Sequence, residues 1–119
     1  MIQIKRIYDV PHKDDGYRIL VDRLWPRGIS KETAQLDEWI KEISPSNELR
    51  SWFNHDEKKW EGFKQRYQEE LKRQVDHIIH LKSLEKKHKK ISLLFAAKTK
   101  AHNNAVVLKS VLDNWEQTP

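Results

Sequence analysis

Cysteine is absent from this chain of 119 residues. Its absence excludes disulfide scaffolds, zinc sites built on thiolates and cysteine nucleophiles, and it fits a reducing compartment. Glycine is scarce as well, because Gly16, Gly28 and Gly62 are the only three. They are too far apart to form a G-x-G-x-x-G loop or a Walker loop, so neither of these phosphate-binding motifs is present.

Long apolar runs are also missing. No stretch approaches the roughly 20 apolar residues of a transmembrane helix, and Met1 leads into Ile2-Gln3-Ile4-Lys5 without a signal-type core. We therefore expect a soluble, cytoplasmic protein that does not bind membranes. Five tryptophans supply too much aromatic surface for a disordered chain, and the length suits one domain over residues 1–119.

The formal charge of +5 is concentrated in one part of the chain. Residues 56–90 hold 11 lysines and arginines against 7 acidic residues, and the basic excess culminates in Lys86-Lys87-His88-Lys89-Lys90. Cations at the end of a helix complement the helix dipole and keep the surface soluble, which we favour over a nucleic-acid patch. No aromatic residue interleaves with the run, as a platform for single strands requires.

The apolar pattern alternates between strand and helix character along the chain. Strands are predicted at 2–7, 17–22 and 92–96, with amphipathic helices at 47–53, from 57 to 87, and from 105 onward. A single helix over 57–87 would be about 45 Å long, too long for so small a domain, so we predict a break near Gln74. Residues 36–43 favour either a short helix or an irregular extended piece.

This order of elements predicts the fold class. Strands separated by a helical segment indicate a small α/β domain, with a sheet of three to four mainly parallel strands packed against helices. The second and last clear strands are expected to lie side by side and parallel, joined by the helical crossover. The order of the remaining strands and the oligomeric state do not follow from the pattern.

Two polar loops follow the buried strands and form the candidate site. The first contains Asp22-Arg23-Leu24-Trp25-Pro26-Arg27-Gly28, and the second runs from Ala96 through Lys98 to Asn104. Loops at the carboxyl ends of parallel strands meet at one edge of the sheet, where α/β proteins bind ligands. The residues predicted to bind a small anionic ligand are Arg23, Trp25, Arg27, Lys98, His102, Asn103 and Asn104.

Each of these residue types suits an anion for its own reason. The arginines offer planar forks for phosphate or carboxylate, and Lys98 offers a point charge. The helix that begins near His102 presents backbone amides at its N-terminus. His102 is also the candidate general acid or base, because histidine titrates near neutral pH.

Most of these residues also have a purely structural interpretation. Asn103 or His102 caps the last helix, Arg23 pairs with Asp22, and Arg27 satisfies loop carbonyls. Trp25 is interpreted as a core anchor rather than a ligand platform. His77 and His80, three residues apart on one helix, match no zinc-binding spacing, so no metal site is predicted.

The loops resemble a known family. Residues 14–28, with the string D-R-L-W-P-R-G at 22–28, are similar to the signature of the YeaO-like family of uncharacterised bacterial proteins, as are residues 36–39, 45–50 and 102–108. The resemblance implies a small α/β fold of unknown function in bacterial cytoplasmic proteins. Wider relatives carry cysteines near the positions of Phe95 and Asn103, so thiol chemistry does not transfer to this chain.

Three functional hypotheses remain open from the sequence. The first, which we favour, is a domain that binds a small phosphate- or carboxylate-bearing ligand between the Arg23–Gly28 loop and the Lys98–Asn104 turn, as a binding protein or an enzyme. The second is a nucleic-acid-associated module that uses the Lys86–Lys90 face. The third is a regulatory domain that binds another protein through the arginine loop. The pattern identifies no cofactor.

Overall fold

The structure, a computed structural model, describes residues 1–115. Its single sheet has four strands, all parallel, in the order β1-β4-β2-β3. The strands are β1 (Ile2–Arg6), β2 (Tyr17–Leu20), β3 (Glu38–Trp39) and β4 (Ile91–Phe95). The helices are α1 (Lys31–Ala34), α2 (Asn47–Phe53), α3 (Trp60–Leu71), α4 (Val75–His88) and α5 (Asn104–Asp113). Short 3-10 turns cover Lys13–Asp15, Lys41–Ile43 and Glu57–Lys59.

The predicted α/β class and the central pairing are confirmed. All five residues of β4 are buried, as expected for an apolar strand with a neighbour on each side. Strand β2 lies parallel beside β4, as the helical crossover between them predicts. The break near Gln74 is also present, because α3 ends at Leu71 and α4 begins at Val75.

Some boundaries differ from the predictions. Strand β2 ends at Leu20 rather than Asp22, and β4 ends at Phe95 rather than Ala96. The last ladder bond joins Val21 N to Leu94 O, and the next amide, Ala96 N, donates to the Asp22 side chain instead of to backbone. A carboxylate thus ends the pairing of these two strands.

Residues 36–43 resolve into both predicted kinds of structure. Glu38–Trp39 pairs in parallel with β2 as the edge strand, and a 3-10 turn follows at Lys41–Ile43. The mixed apolar spacing of the segment arises because Ile40 and Ile43 reach the main core, whereas Trp39 packs on the opposite face of the sheet.

The two faces of the sheet are covered differently. Helices α3, α4 and α5 cover one face and form the main core with residues such as Ile19, Leu93 and Tyr67. On the other face Leu20 and Leu94 pack with Trp25 and Trp39 in a smaller cluster. Among the described residues no helix combines the length and apolar content that crossing a lipid bilayer requires.

The smaller face also holds a buried ion pair. Arg18 in β2 donates to Asp15 at 2.5 Å, and Lys5 in β1 lies 3.0 Å from the same carboxylate. Burial alone raises the pKa of Asp15, but the His12 amide, Lys5 and Arg18 outweigh it and lower the pKa from 3.8 to about 2. Both cations therefore have an acidic partner within the fold.

Candidate anion-binding site

A cleft of about 1040 Å³ opens beyond the carboxyl ends of β1, β2 and β4. Its walls come from the loop after β2, the loop after β4, and helix α2 with the turn that follows it. All seven residues selected from the sequence line this cleft: Arg23, Trp25, Arg27, Lys98, His102, Asn103 and Asn104. The two loops are thus brought together at the sheet edge where parallel α/β folds bind ligands.

Asp22 joins the two loops, and sequence reasoning missed its importance. Its carboxylate accepts hydrogen bonds from Ala96 N at 2.9 Å and from Asn104 Nδ2 at 3.1 Å. Burial raises the pKa of Asp22, although the Ala96 amide, the Asn104 side chain and the charge of Arg50 each oppose this. Its place immediately after a buried strand, within the D-R-L-W-P-R-G string, was the available signal.

Asn103 is the N-cap of α5, as one of its structural interpretations predicts. Its backbone is extended (φ −143°), and its Oδ1 accepts from Val106 N at 3.0 Å. Its Nδ2 donates to Thr99 O at 2.9 Å. Since both ends of this buried amide are bonded internally, Asn103 shapes the turn and orients the helix.

The first turn of α5 leaves backbone donors open. Val106 N is capped by Asn103, but the amides of Asn104 and Ala105 have no acceptor within residues 1–115. Both amides precede the point where helical bonding begins, so they point out of the N-terminus together. A helix end of this kind favours negative charge through its free N–H groups and its dipole.

Three cationic side chains of the cleft lack internal partners. Neither hydrogen bonds nor ion pairs engage the side chains of Arg23, Arg27 or Lys98 within the described part of the chain. The suggested pairing of Arg23 with Asp22 is therefore wrong, because Asp22 is bonded by amide groups instead. Arg23 Nε is buried and has no hydrogen-bond acceptor among these residues.

Arg27 is held by its backbone and not through its guanidinium. The hydroxyl of Tyr8, from the end of β1, donates to the Arg27 carbonyl at 2.7 Å. The expectation that Arg27 satisfies loop carbonyls is therefore wrong in the described residues. The exposed guanidinium remains available to a ligand.

Trp25 anchors the first loop, as the core interpretation predicts. Its indole Nε1 donates to Ile29 O at 2.8 Å, and its ring meets Trp39 edge to face with centroids 5.4 Å apart. It packs against the smaller core cluster and presents only part of its surface to the cleft. This packing fixes the backbone between the two arginines.

His102 lies at the rim of the cleft in a fixed orientation. Its ring stacks on Trp60 with centroids 4.6 Å apart, and its Nδ1 contacts a Glu57 carboxylate oxygen. Since Glu57 engages Nδ1, Nε2 is the ring nitrogen left to meet a ligand. The arrangement suits a donor to an anion as well as an acid–base group.

Two further cleft residues come from α2 and the turn after it. Among residues 1–115 the Arg50 side chain bonds only Asn47 Oδ1, at 3.2 Å, and exposed His55 has the left-handed backbone angle φ 56°. Sequence reasoning missed both residues, since no local pattern shows that α2 faces the two strand-end loops. Within residues 1–115 no group of three or more His, Asp or Glu side chains is placed to share a metal ion.

Comparison with known proteins identifies the family. The family model described as the inactive DUF488-N3 subclade matches residues 1–118. The chain is 47% identical over 107 residues to the uncharacterized protein YeaO of Escherichia coli (strain K12), a match that covers 90% of this chain and 92% of YeaO. It is 44% identical over 70 residues to uncharacterized proteins of Mycobacterium tuberculosis and Mycobacterium bovis, with 59% of each chain covered.

No solved structure matches the chain at a significant level. The match over residues 1–118 and the identity to YeaO agree with the resemblance carried by the D-R-L-W-P-R-G loop. The chain belongs to the inactive DUF488-N3 subclade, among YeaO-like proteins of unknown function.

Proposed function

We propose that this protein is a binding domain for a small phosphate-bearing anion, which it holds in the cleft between the Arg23–Gly28 loop and the Lys98–Asn104 turn. The observation that carries the proposal is the set of unpaired cations Arg23, Arg27 and Lys98, which line one cleft without acidic partners in residues 1–115. Elsewhere in the fold, Lys5 and Arg18 both pair with Asp15. Cations left open at a concave site favour a ligand of opposite charge.

The backbone of α5 supports an anion at the same place. The free amides of Asn104 and Ala105 lie beside the Lys98–Asn104 turn and favour phosphate or carboxylate oxygens. The acidic residue among the described lining residues is Asp22, and its carboxylate accepts hydrogen bonds from the Ala96 amide and the Asn104 side chain. Phosphate is favoured over carboxylate because it has enough oxygens to engage several cations and amides together.

Binding without catalysis agrees with the family description, which names an inactive subclade. Thiol chemistry on a bound phosphate is excluded, because the chain contains no cysteine. Thr99 Oγ1 accepts from the amides of Ala101 and His102, which occupies this hydroxyl in holding the turn. His102 is accordingly assigned to ligand binding.

The test replaces two exposed cations of the cleft. Isothermal titration with inorganic phosphate and pyrophosphate compares the natural protein with an Arg27→Ala/Lys98→Ala variant. Loss of two charge-assisted contacts is expected to weaken binding roughly 100-fold. The matched control is Lys86→Ala/Lys87→Ala, which removes the same charge from exposed positions at the end of α4.

Equal phosphate affinity in the two double variants would contradict the proposal. Absence of phosphate and pyrophosphate binding by the natural protein at low salt would contradict it as well. Both double variants alter exposed side chains, so thermal unfolding is expected to stay close to that of the natural protein.

The basic end of α4 gives a second candidate function, contact with a nucleic-acid backbone. Lys86, Lys87 and Lys89 are exposed and have no ion pair within residues 1–115. Affinity for duplex DNA or RNA should then fall with salt and should drop in Lys86→Ala/Lys87→Ala but not in Arg27→Ala/Lys98→Ala. Equal affinity in all three proteins would eliminate this candidate.

A further inference from the structure

The cleft is larger than a single phosphate ion requires. Its volume of about 1040 Å³ lies at the upper end of the range for pockets that hold whole cofactors and drug-sized ligands. The unpaired cations and the α5 N-terminus account for the anionic part of a ligand. The remaining wall therefore indicates what the rest of that ligand is.

The part of that remaining wall beside the first loop is apolar and aromatic, whereas the part from α2 carries polar side chains such as Ser51 and Asn54. Leu24, between the free cation Arg23 and the anchored Trp25, is 64% exposed and lines the cleft. Half-buried Trp25 continues the same surface, whereas Pro26, Phe53 and Phe63 are buried and offer the cleft little area. A ligand made only of phosphate or of a sugar phosphate would leave this surface in contact with water.

Tyr8 provides a fixed ring beside a free cation. Its side chain is 40% exposed, and its hydroxyl is held on the Arg27 carbonyl at 2.7 Å. The Arg6 guanidinium lies over the ring, 5.0 Å from its centroid, and Arg6 is itself held by the carbonyls of Ala96 and Ala97. The ring is therefore oriented before any ligand arrives, which lowers the entropy lost on stacking.

From this juxtaposition we infer that the ligand is a nucleoside phosphate. Its phosphate contacts Arg23, Arg27, Lys98 and the α5 amides, and its base lies against the apolar wall formed by Tyr8 and Leu24. A nucleotide joins a planar base to a phosphate within a few ångströms, which matches a ring and a leucine adjoining free cations. The inference rests on the proposed function, because the base has no anchor if the phosphate does not bind.

Isothermal titration tests the inference with five probes. These are inorganic phosphate, ribose 5-phosphate, a set of purine and pyrimidine nucleoside monophosphates, the matching nucleosides, and a single-stranded tetranucleotide. At least one monophosphate is expected to bind roughly ten-fold or more tightly than ribose 5-phosphate, since one stacked base contributes that much. The matching nucleoside is expected to bind more weakly than its monophosphate.

Variants separate the base from the phosphate. Leu24→Ala is expected to remove part of the nucleotide's advantage while leaving the dissociation constant for inorganic phosphate unchanged. Tyr8→Leu removes the ring together with the hydroxyl that holds the Arg27 carbonyl, so its nucleotide affinity is compared with that of Tyr8→Phe, which lacks the same hydroxyl. The control is Val10→Ala, which trims a side chain that is 82% exposed and lies outside the cleft. Tyr8→Phe, which keeps the ring, is expected to retain more of the advantage than Tyr8→Leu.

The outcomes distinguish this inference from the proposed function. If every monophosphate binds no tighter than ribose 5-phosphate, the nucleotide inference is overturned and anion binding stands. If neither phosphate nor any nucleotide binds, both are overturned. A tetranucleotide that binds more tightly than the monophosphates supports the inference and assigns the nucleotide to a nucleic-acid strand, whereas equal or weaker binding assigns it to a free nucleotide.

Discussion

Asn104 and Asp22, which are 82 residues apart in the chain, meet at the floor of the cleft. Asn104 Nδ2 donates to Asp22 Oδ1 and to the carbonyl of Val21, both at 3.1 Å. The first residue of α5 is thereby tied to the end of β2, and Ala96 N ties β4 to the same carboxylate at 2.9 Å. The relative positions of the two cationic loops depend on this small network.

Replacing Asn104 should destabilise the protein and weaken anion binding together. Asn104→Ala removes two partly buried hydrogen bonds and is expected to lower the free energy of unfolding by about 1–3 kcal/mol. The control is Asn114→Ala, which loses one exposed bond to Ser110 O and should change stability by less than about 0.5 kcal/mol. Urea denaturation measures the free energy of unfolding of both variants. Equal losses of this free energy in the two variants would contradict the proposed role of Asn104.

The raised pKa of Asp22 gives a pH dependence of stability. A folded-state pKa above the unfolded value of 3.8 means that the folded protein retains this proton longer. The stability that protonated Asp22 contributes is fully present below pH 3.8. It is lost as the pH rises through the folded-state pKa. Relative to the natural protein, Asp22→Asn should therefore gain stability as the pH rises from about 3.5 to 7. A constant difference between the two unfolding curves would contradict this.

Asp15 should show the opposite dependence. Its pKa is lowered from 3.8 to about 2, so its stabilising contribution is present above pH 3.8 and lost as the pH falls toward 2. The shift corresponds to about 2 kcal/mol, because each pKa unit is worth about 1.4 kcal/mol.

The variant that tests this is Asp15→Asn. It leaves buried Arg18 without its anion, so stability near neutral pH should fall by about 3–5 kcal/mol. The deficit should shrink in acid, where the natural protein loses the same charge. Urea denaturation from about pH 4 to pH 2 measures the difference in unfolding free energy between the variant and the natural protein. A difference that stays constant over this range would refute the assigned role of the Asp15 charge.

Two glycines with positive φ should respond differently to alanine. At Gly16 (φ +68°) an added Cβ would lie 2.3 Å from the Lys90 carbonyl oxygen, a clash with backbone. At Gly28 (φ +75°) nothing lies within 4 Å of the added atom. Gly28→Ala should therefore cost about 1 kcal/mol for its backbone angle, whereas Gly16→Ala should cost clearly more. Thermal unfolding of both variants tests this difference. Equal losses of stability in the two variants would contradict the proposed clash at Gly16.

Local features of the chain were predictable because short-range physics determines them. Apolar runs marked the strands, and the apolar spacing with the limit on helix length located the break near Gln74. Ser46 caps α2 through its hydroxyl, and Asn103 caps α5 through its amide, as their residue types favour.

The buried polar face was not predictable from the same patterns. Arg18 sits within β2 and is only 4% exposed, yet a charged residue in a strand normally indicates a face in contact with water. It is buried because Asp15, three residues away, pairs with it and with Lys5 from another strand. Pairing of this kind depends on which strands become neighbours.

The sequence by itself determined the type and approximate place of the main strands and helices, and the family, because these depend on apolar spacing, caps and a specific loop string. It also marked Arg23, Arg27 and Lys98 as polar groups at strand ends. Only the tertiary structure decided that Asp22 links the loops and that Arg50 and His55 join the same cleft. Those relationships depend on contacts between segments far apart in the chain, such as Asp22 and Ala96, whose positions differ by 74, and no local periodicity encodes them.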